Sequence, residues 1–391
     1  MITYSEALQT ILAQVKCVDK EVIDYTDALG RVLAQDIFSD INMPPFDKSA
    51  MDGYACRKED LGLELDLIDV IRAGEAPKQS VGKRQCSQIM TGAMVPEGAD
   101  FVFMVEHSEK TKSGKIKFTA GKSGSNICNL GEDVRKGDKV MDKDTLIRVR
   151  HIPVLASVGA HRIEVYKQPK VAVLATGTEL VEPEIVPGPS QIRNSNAPQM
   201  MSQLKSIGLA PMYFGIAPDD EEQTHTMLAN ALEKCDILIL SGGVSMGEYD
   251  FVPAVLEKLG VNLLFQRVAI QPGKPTTFGV KKDKYVFALP GNPVSSFIIF
   301  ELLAKPFIYK FMNCDWKPVT MRLKAGRKMT RKKVDRQSWF PIEIDSDGKV
   351  VPLEYHGSAH IFALNGADGI IAMEIGQDTI MEGDWLNVRQ I

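Results

Sequence analysis

The chain has 391 residues, more than one ordinary hydrophobic core organises, so two to four domains are expected. With 44% hydrophobic and 25% charged residues, its composition excludes wholesale disorder. A net charge of −4 argues against a broadly basic nucleic-acid-binding surface, and no apolar run reaches the roughly 18 residues of a membrane helix, so neither nucleic acid nor membrane is expected as a partner.

At the start of the chain, Thr3 and Glu6 have capping-box spacing. Ala7, Leu8, Ile11, Leu12 and Val15 then repeat at helical period, which predicts an amphipathic helix. No basic stretch followed by an apolar one opens the sequence, so a secretory leader is not expected. Cysteines at 17, 56, 86, 128, 235 and 314 form no C-x-x-C pair, and their scatter fits a reducing, cytoplasmic setting. Residues 41–140 alternate short β-rich pieces, such as Asp100–Val105 and Ile116–Thr119, with Gly and Pro turns, which predicts an all-β lobe. A helix centred on His151–Val158 is predicted within 145–162.

From Lys170 the pattern changes. Val171–Ala175, Met212–Ile216, Ile237–Leu240 and Tyr285–Leu289 read as buried strands, separated by helices over Pro198–Ile207, Asp220–Lys234 and Phe251–Leu259. That alternation predicts a mostly parallel sheet covered on both faces. Residues 182–190 read as an exposed loop and Asn313–Pro318 as a linker into a second β-rich region. The run from Arg322 to Arg336 holds eight Lys or Arg residues but no interleaved aromatics, so a solvated or edge-protecting β segment is favoured over nucleic acid.

In such sheets ligands bind beyond the carboxyl ends of the strands, and three strand ends carry unusual residues. Thr176-Gly177-Thr178-Glu179 reads as a tight strand exit bearing a carboxylate, or as an ordinary βα loop with a solvated acid. Ser241-Gly242-Gly243-Val244-Ser245 follows a buried strand; its paired glycines predict an anion nest of backbone N–H groups, without the spacing of a Walker A loop. Asp250, ahead of the helix that contains Pro253, reads as an N-cap or as a carboxylate suited to Mg2+ beside phosphate. In Leu289-Pro290-Gly291-Asn292-Pro293-Val294-Ser295, Asn292 is the expected N-cap and Pro293 the N1 residue of a helix whose positive end suits an anion. Asp219 and Glu222 have capping-box spacing, and Lys274 stands between two prolines in a stiff turn that suits an oxyanion. His107, His151, His161, His225, His356 and His360 show no metal-ligand spacing, so structural zinc and Ser-His-Asp chemistry are poorly supported.

Seven strings, in order, resemble the MoeA family, which includes the C-terminal domain of gephyrin. They are FDKSAMDGYA (46–55), IMTGAMVPEGAD (89–100), GEDV (131–134), TGTEL (176–180), SGGVSMGEYD (241–250), PGKP (272–275) and LPGNPVS (289–295). The resemblance extends over essentially the whole chain. It implies a multi-domain α/β plus β fold: an N-terminal linking domain (1–40 and 141–168), a β-rich lobe (41–140), a MogA-like α/β molybdopterin-binding domain (169–315) and a C-terminal β-barrel (316–391). It also implies a homodimer with a shared cleft, and contact with other molybdenum cofactor biosynthesis proteins. The implied reaction is that of a molybdopterin molybdenumtransferase, inserting molybdate into adenylylated molybdopterin with Mg2+-dependent release of AMP.

The family's functional positions fall on Asp52, Thr91 and Asp133 in the first half, and on Glu179, Asp219 and Asp250 as the acidic, Mg2+-holding cluster. Pro290 and Pro293 match the family's proline pair; Ser241, Gly242, Gly243, Ser245, Gly291, Asn292 and Ser295 in the strand-end turns are the other expected substrate-binding residues, with Arg267 and Lys274 as the molybdate-side cations. Two departures stand out. Arg267 and Gln271 occupy positions where the family commonly has lysine, and Lys48 stands where asparagine is common. The choice between molybdate and tungstate is thereby left open. A MogA-like adenylyltransferase and a non-catalytic pterin-binding scaffold are the alternative readings.

Overall fold

The computed structural model describes residues 1–16, 18–121, 124–244, 251–353 and 357–391. The N-terminal helix runs Tyr4–Leu12, and its capping box forms as the spacing predicts: the Glu6 N–H donates to Thr3 Oγ1 (3.2 Å) and the Thr3 N–H to Glu6 Oε2 (2.7 Å). Its buried face, Ala7 and Ile11, lies in the largest core cluster of the molecule. The strand Lys20–Asp24 pairs antiparallel with Arg162–Tyr166, tying together segments that flank the β lobe. The helix expected around His151–Val158 is shorter: a 3₁₀ turn, Val149–His151, leads into Ile152–Ser157, and Gly159 follows at φ +73°.

Between these segments lies the β lobe. Its sheet runs in the order Phe101–Met104, Gly53–Cys56, Gln85–Ile89, Glu64–Ile71, Ile116–Phe118, Ser108–Lys110. Alternation along one strand covers both faces: Phe101 and Phe103 join one cluster and Val102 the other.

The central sheet has six strands: β1 (Val171–Thr176), β2 (Met212–Ala217), β3 (Ile237–Ser241), β4 (Asn262–Phe265), β5 (Thr277–Lys281) and β6 (Lys284–Leu289), in the spatial order β2-β1-β3-β6-β5-β4. The first four of that order are parallel, as the sequence predicts; β5 and β4 add an antiparallel edge that it does not. Both faces are buried: Val171, Val173 and Ala175 of β1 enter one cluster, Ala172 and Leu174 the other. The alternation of inward faces explains why the run is apolar throughout. The helices are α1 (Asn196–Ser206), α2 (Glu221–Lys234), α3 (Val252–Lys258) and α4 (Pro293–Ile299). α4 continues through a π-helical segment, Phe300–Ala304, into Lys305–Phe311.

That π segment carries Glu301, only 3% exposed. Its carboxylate pairs with Lys305 Nζ (2.8 Å) and accepts from Gln203 Nε2 (2.9 Å), while its carbonyl accepts from the buried Arg389 guanidinium on the last strand. Both oxygens of this buried carboxylate thus have partners, which offsets the cost of taking them out of water.

The C-terminal sheet runs Ile270–Gln271, Gln337–Ile344, Gly369–Met373, Trp385–Gln390, Thr320–Lys324, with Val350–Pro352 branching from the second strand. Its first strand is borrowed from the α/β region and lies parallel to Gln337–Ile344. The basic run is tied into this body: Arg331 donates to the carbonyls of Gln377 (2.6 Å) and Arg336 (2.7 Å), and Arg322 and Lys324 lie over the Trp385 ring. Among the described residues no helix is long and apolar enough to cross a membrane.

Candidate functional site

β1 passes through α1 to β2 on one side, whereas β3 leads on toward the strands of the other side. The gap between the carboxyl ends of β1 and β3 is therefore the topological switch point, where open α/β sheets bind ligands. The chain narrows there. Gly242 (φ +96°) packs so closely that a Cβ would stand 2.3 Å from Thr176 O, and at Gly243 (φ +65°) a Cβ would stand 2.6 Å from Val252 Cγ2. Ser241, 1% exposed, and Thr176 form the floor, with Thr176 Oγ1 donating to the Ser241 carbonyl at 3.4 Å. The nest expected at these glycines is smaller than predicted. The Gly242 N–H donates to Leu289 O (3.1 Å), which leaves the Gly243 N–H as the glycine amide with no hydrogen bond to a described residue.

Asp219 does not cap the following helix, contrary to its spacing. Asp220 does, accepting from the Gln223 N–H at 2.8 Å. Asp219 is thereby freed to exchange two bonds with Thr178: the Thr178 N–H donates to Asp219 Oδ2, and the Asp219 N–H to Thr178 Oγ1, both at 2.9 Å. The exchange staples the loops after β1 and β2. The Glu179 carboxylate folds back over Gly177, where an added Cβ would lie 2.5 Å from Glu179 Oε2. Glu179 and Asp219 both line a cleft of about 950 Å³ shared with Ser241, Gly242, Gly243 and the Pro290–Pro293 turn. Ser245 and Asp250, expected as substrate and metal residues, lie outside the described residues. Among the described residues no three His, Cys, Asp or Glu side chains gather as a metal site.

The third strand end also departs from expectation. Asn292 holds the N-cap position of α4, but its side chain makes no cap; Nδ2 donates instead to Ser358 Oγ (2.8 Å) in the C-terminal region. The Val294 N–H donates to Ser358 O (3.1 Å), so this amide of the first turn is already satisfied and the helix end is a weaker anion site than predicted. Ser295 is 2% exposed and does not line the cleft. Gly291 O accepts from Asn196 Nδ2 (2.6 Å) at the start of α1.

Three contributors escape the sequence reading: Asn194 and Asn196 ahead of and within α1, and the Ala359, Ile361 and Phe362 rim from the C-terminal region. Asn194 accepts from the Ala197 N–H and donates to Tyr213 Oη, which donates to Glu182. Burial, followed by Glu182, pushes the Tyr213 hydroxyl pKa upward. A polar residue just ahead of a helix start is the signal that could have found Asn194; the rim comes from more than 60 residues beyond the last strand motif and carries no local mark.

Asp52, Thr91 and Asp133 do not line this cleft. Asp52 Oδ1 accepts from both the Thr91 N–H (2.6 Å) and Thr91 Oγ1 (2.7 Å), on the exposed surface of the β lobe. Those two bonds hold the Asp52 carboxyl below its usual range, the amide bond contributing most. Asp133 is exposed, its N–H donating to Met43 O. Arg267 and Lys274 are outside the lining as well, although Pro275 belongs to it. Lys274 is exposed, and its carbonyl accepts from the Val268 and Thr276 amides.

Three family descriptions match the chain in succession: the MoeA N-terminal region (domain I and II) over 2–159, a probable molybdopterin binding domain over 172–310, and the MoeA C-terminal region (domain IV) over 322–391. A molybdopterin molybdenumtransferase of Haemophilus influenzae is 34% identical, covering 100% of this chain and 98% of the relative. One of Bacillus subtilis is 36% identical over 80% of this chain and 75% of its own. The crystal structure of a molybdopterin biosynthesis MoeA protein from Pyrococcus horikoshii OT3 superposes with a TM-score of 0.85 at 27% identity, covering 100% of both chains.

Proposed function

The chain belongs to the MoeA family, and we propose that it is a molybdopterin molybdenumtransferase of molybdenum cofactor biosynthesis, which inserts molybdate into adenylylated molybdopterin and releases AMP. The observation that carries this reading is the convergence of Glu179 and Asp219 with the Ser241-Gly242-Gly243 and Pro290–Pro293 turns around one cleft. The size and mixed lining of that cleft suit a ligand with a flat ring and a charged tail.

In this reading the Gly243 amide receives a phosphate oxygen, and the exposed Lys274 beside Pro275 attracts molybdate to the rim. Arg267 adds a second positive charge nearby in sequence, and Gln271 contributes none. The Thr178–Asp219 exchange keeps one face of the cleft fixed while substrate enters. Two hard oxygen donors next to a phosphate site fit Mg2+ better than a softer metal. Glu179 and Asp219, with Asp250, would hold it, and when bound it would offset charge on the phosphoanhydride.

Asp52, Thr91 and Asp133 enter through a second copy: in a homodimer the β lobe of one chain closes the cleft of the other. The same membership leads us to propose the division 1–40 with 141–168, 41–140, 169–315 and 316–391, a C-terminal barrel, a cytoplasmic location and hand-over to other molybdenum cofactor biosynthesis proteins.

Purified protein, adenylylated molybdopterin, Mg2+ and molybdate should release AMP and yield a pterin that activates a cofactor-free molybdoenzyme; Asp219→Ala should lose this release. AMP release that ignores molybdate, or an Asp219→Ala protein as active as wild type, would overturn the proposal. Attachment of AMP to molybdopterin from ATP would assign the chain to the adenylyltransferase step instead.

A further inference from the structure

Phe362 is 89% exposed, the most exposed large apolar side chain among the described residues. Phenylalanine is ordinarily an interior residue, and this one does not sit on a loose tail. Its 3₁₀ turn, Ile361–Leu364, places Leu364 against the main core while Phe362 lines the cleft. The preceding Ser358 is fixed to the Asn292–Val294 turn by two hydrogen bonds, to Nδ2 of Asn292 and to the amide of Val294. An anchored turn therefore presents an uncovered ring to the same space that Glu179 and Asp219 line. Leu180, Ile192 and Pro290 give that space an apolar side as well.

We infer that Phe362 is the stacking platform for a flat, fused nitrogen heterocycle of the bound substrate. The assignment rests on the function proposed above and adds a residue to it. An aromatic face attracts a heterocycle by offset stacking with little regard to its substituents, so it fixes the plane of the ring and leaves polar groups to set its orientation. With the carboxylates and the Gly243 amide handling the charged end, the ring of Phe362 takes the neutral end. Both the pterin and the adenine of the substrate have this chemistry, and the experiment separates them.

Full-length wild type, Phe362→Ala, Phe362→Leu and Phe362→Trp are compared for molybdate-dependent AMP release, for direct calorimetric binding of AMP and of molybdopterin, and for dimer content by sedimentation. Phe362→Ala should raise KM about tenfold, with a smaller change in kcat. Phe362→Trp should restore affinity, and Phe362→Leu should not. Weakened AMP binding identifies adenine as the stacked ring; weakened molybdopterin binding with AMP unchanged identifies the pterin. Unchanged binding of both ligands to Phe362→Ala overturns the inference. Full rescue by leucine, or a loss of dimer without a loss of affinity, overturns it too. Wild-type protein without molybdate-dependent AMP release would count against the function proposed above, while the two binding measurements would still decide the role of Phe362.

Discussion

Replacing Gly242 by alanine tests whether close approach at the switch point holds the central sheet and its cleft together. Two costs are expected. The first is backbone strain, because Gly242 has φ +96°; for a residue with a Cβ this costs on the order of 1–2 kcal/mol. The second is steric. The new Cβ would meet Thr176 O at 2.3 Å and Thr176 Oγ1 at 2.7 Å, and the carbonyl is backbone that cannot rotate aside. Separating β1 from β3 to relieve the overlap costs about 1–3 kcal/mol by the usual measure of overpacking. Together these come to roughly 2–5 kcal/mol, a large part of a typical folding stability of about 5–15 kcal/mol. Gly376→Ala isolates the first cost, since Gly376 has φ +86° and nothing within 4 Å of its added Cβ. Scanning calorimetry on both variants should show a fall in Tm of roughly 5–15 °C for Gly242→Ala and a smaller one for Gly376→Ala. Equal shifts in the two proteins would refute the argument, because the contact with Thr176 would then contribute nothing.

Two further outcomes follow from individual hydrogen bonds. Asp220→Ala should destabilise by about 1 kcal/mol through loss of the α2 cap, whereas Asp219→Ala should leave that cap intact; amide hydrogen exchange at Gln223, the N–H that Asp220 accepts, checks this, and faster exchange there in Asp219→Ala than in Asp220→Ala would refute the assignment. Asp52 has a depressed folded-state carboxyl pKa, so its contribution to lobe stability is present above the ordinary value of 3.8 and is lost as pH falls through the lowered folded value. Thr91→Ala keeps the amide bond and removes the hydroxyl bond, so carbon-detected NMR titration should find the Asp52 pKa raised part of the way back; no rise would remove the hydroxyl from the account.

The parallel strands were legible because each is buried on both faces and so is apolar end to end, as in Val171–Ala175 and Ile237–Leu240. The Thr3–Glu6 box was legible because both partners lie within one turn. The antiparallel edge was harder: Asn262–Phe265 has only four residues and its inner positions are half-buried, so no period stands out. Neighbouring aspartates hid the cap, since Asp219 and Asp220 are one residue apart and spacing alone cannot choose between them. The glycine and proline turns at the strand ends converge on one cleft, and Asn292 holds the predicted N-cap position, but its side-chain partner, Ser358, is 66 residues away and no local pattern points to it. Phe362 was invisible for the same reason, since its significance lies in which surface its turn lands on.

The borrowed strand Ile270–Gln271 has a practical consequence for dividing this chain. Its two residues belong by sequence to the α/β region and by pairing to the C-terminal sheet. A gene split near residue 315 would leave the C-terminal fragment with Gln337 and Ser338, at one end of their strand, stripped of a neighbour, while Val350–Pro352 still covers the other end from Ile342 to Ile344, so a short edge would be open to pairing with an extended peptide. The N-terminal fragment would keep Ile270 packed in the main core but would lose the strand to which Ile270–Gln271 pairs. Supplying both fragments together should therefore recover more soluble protein than either yields when expressed separately.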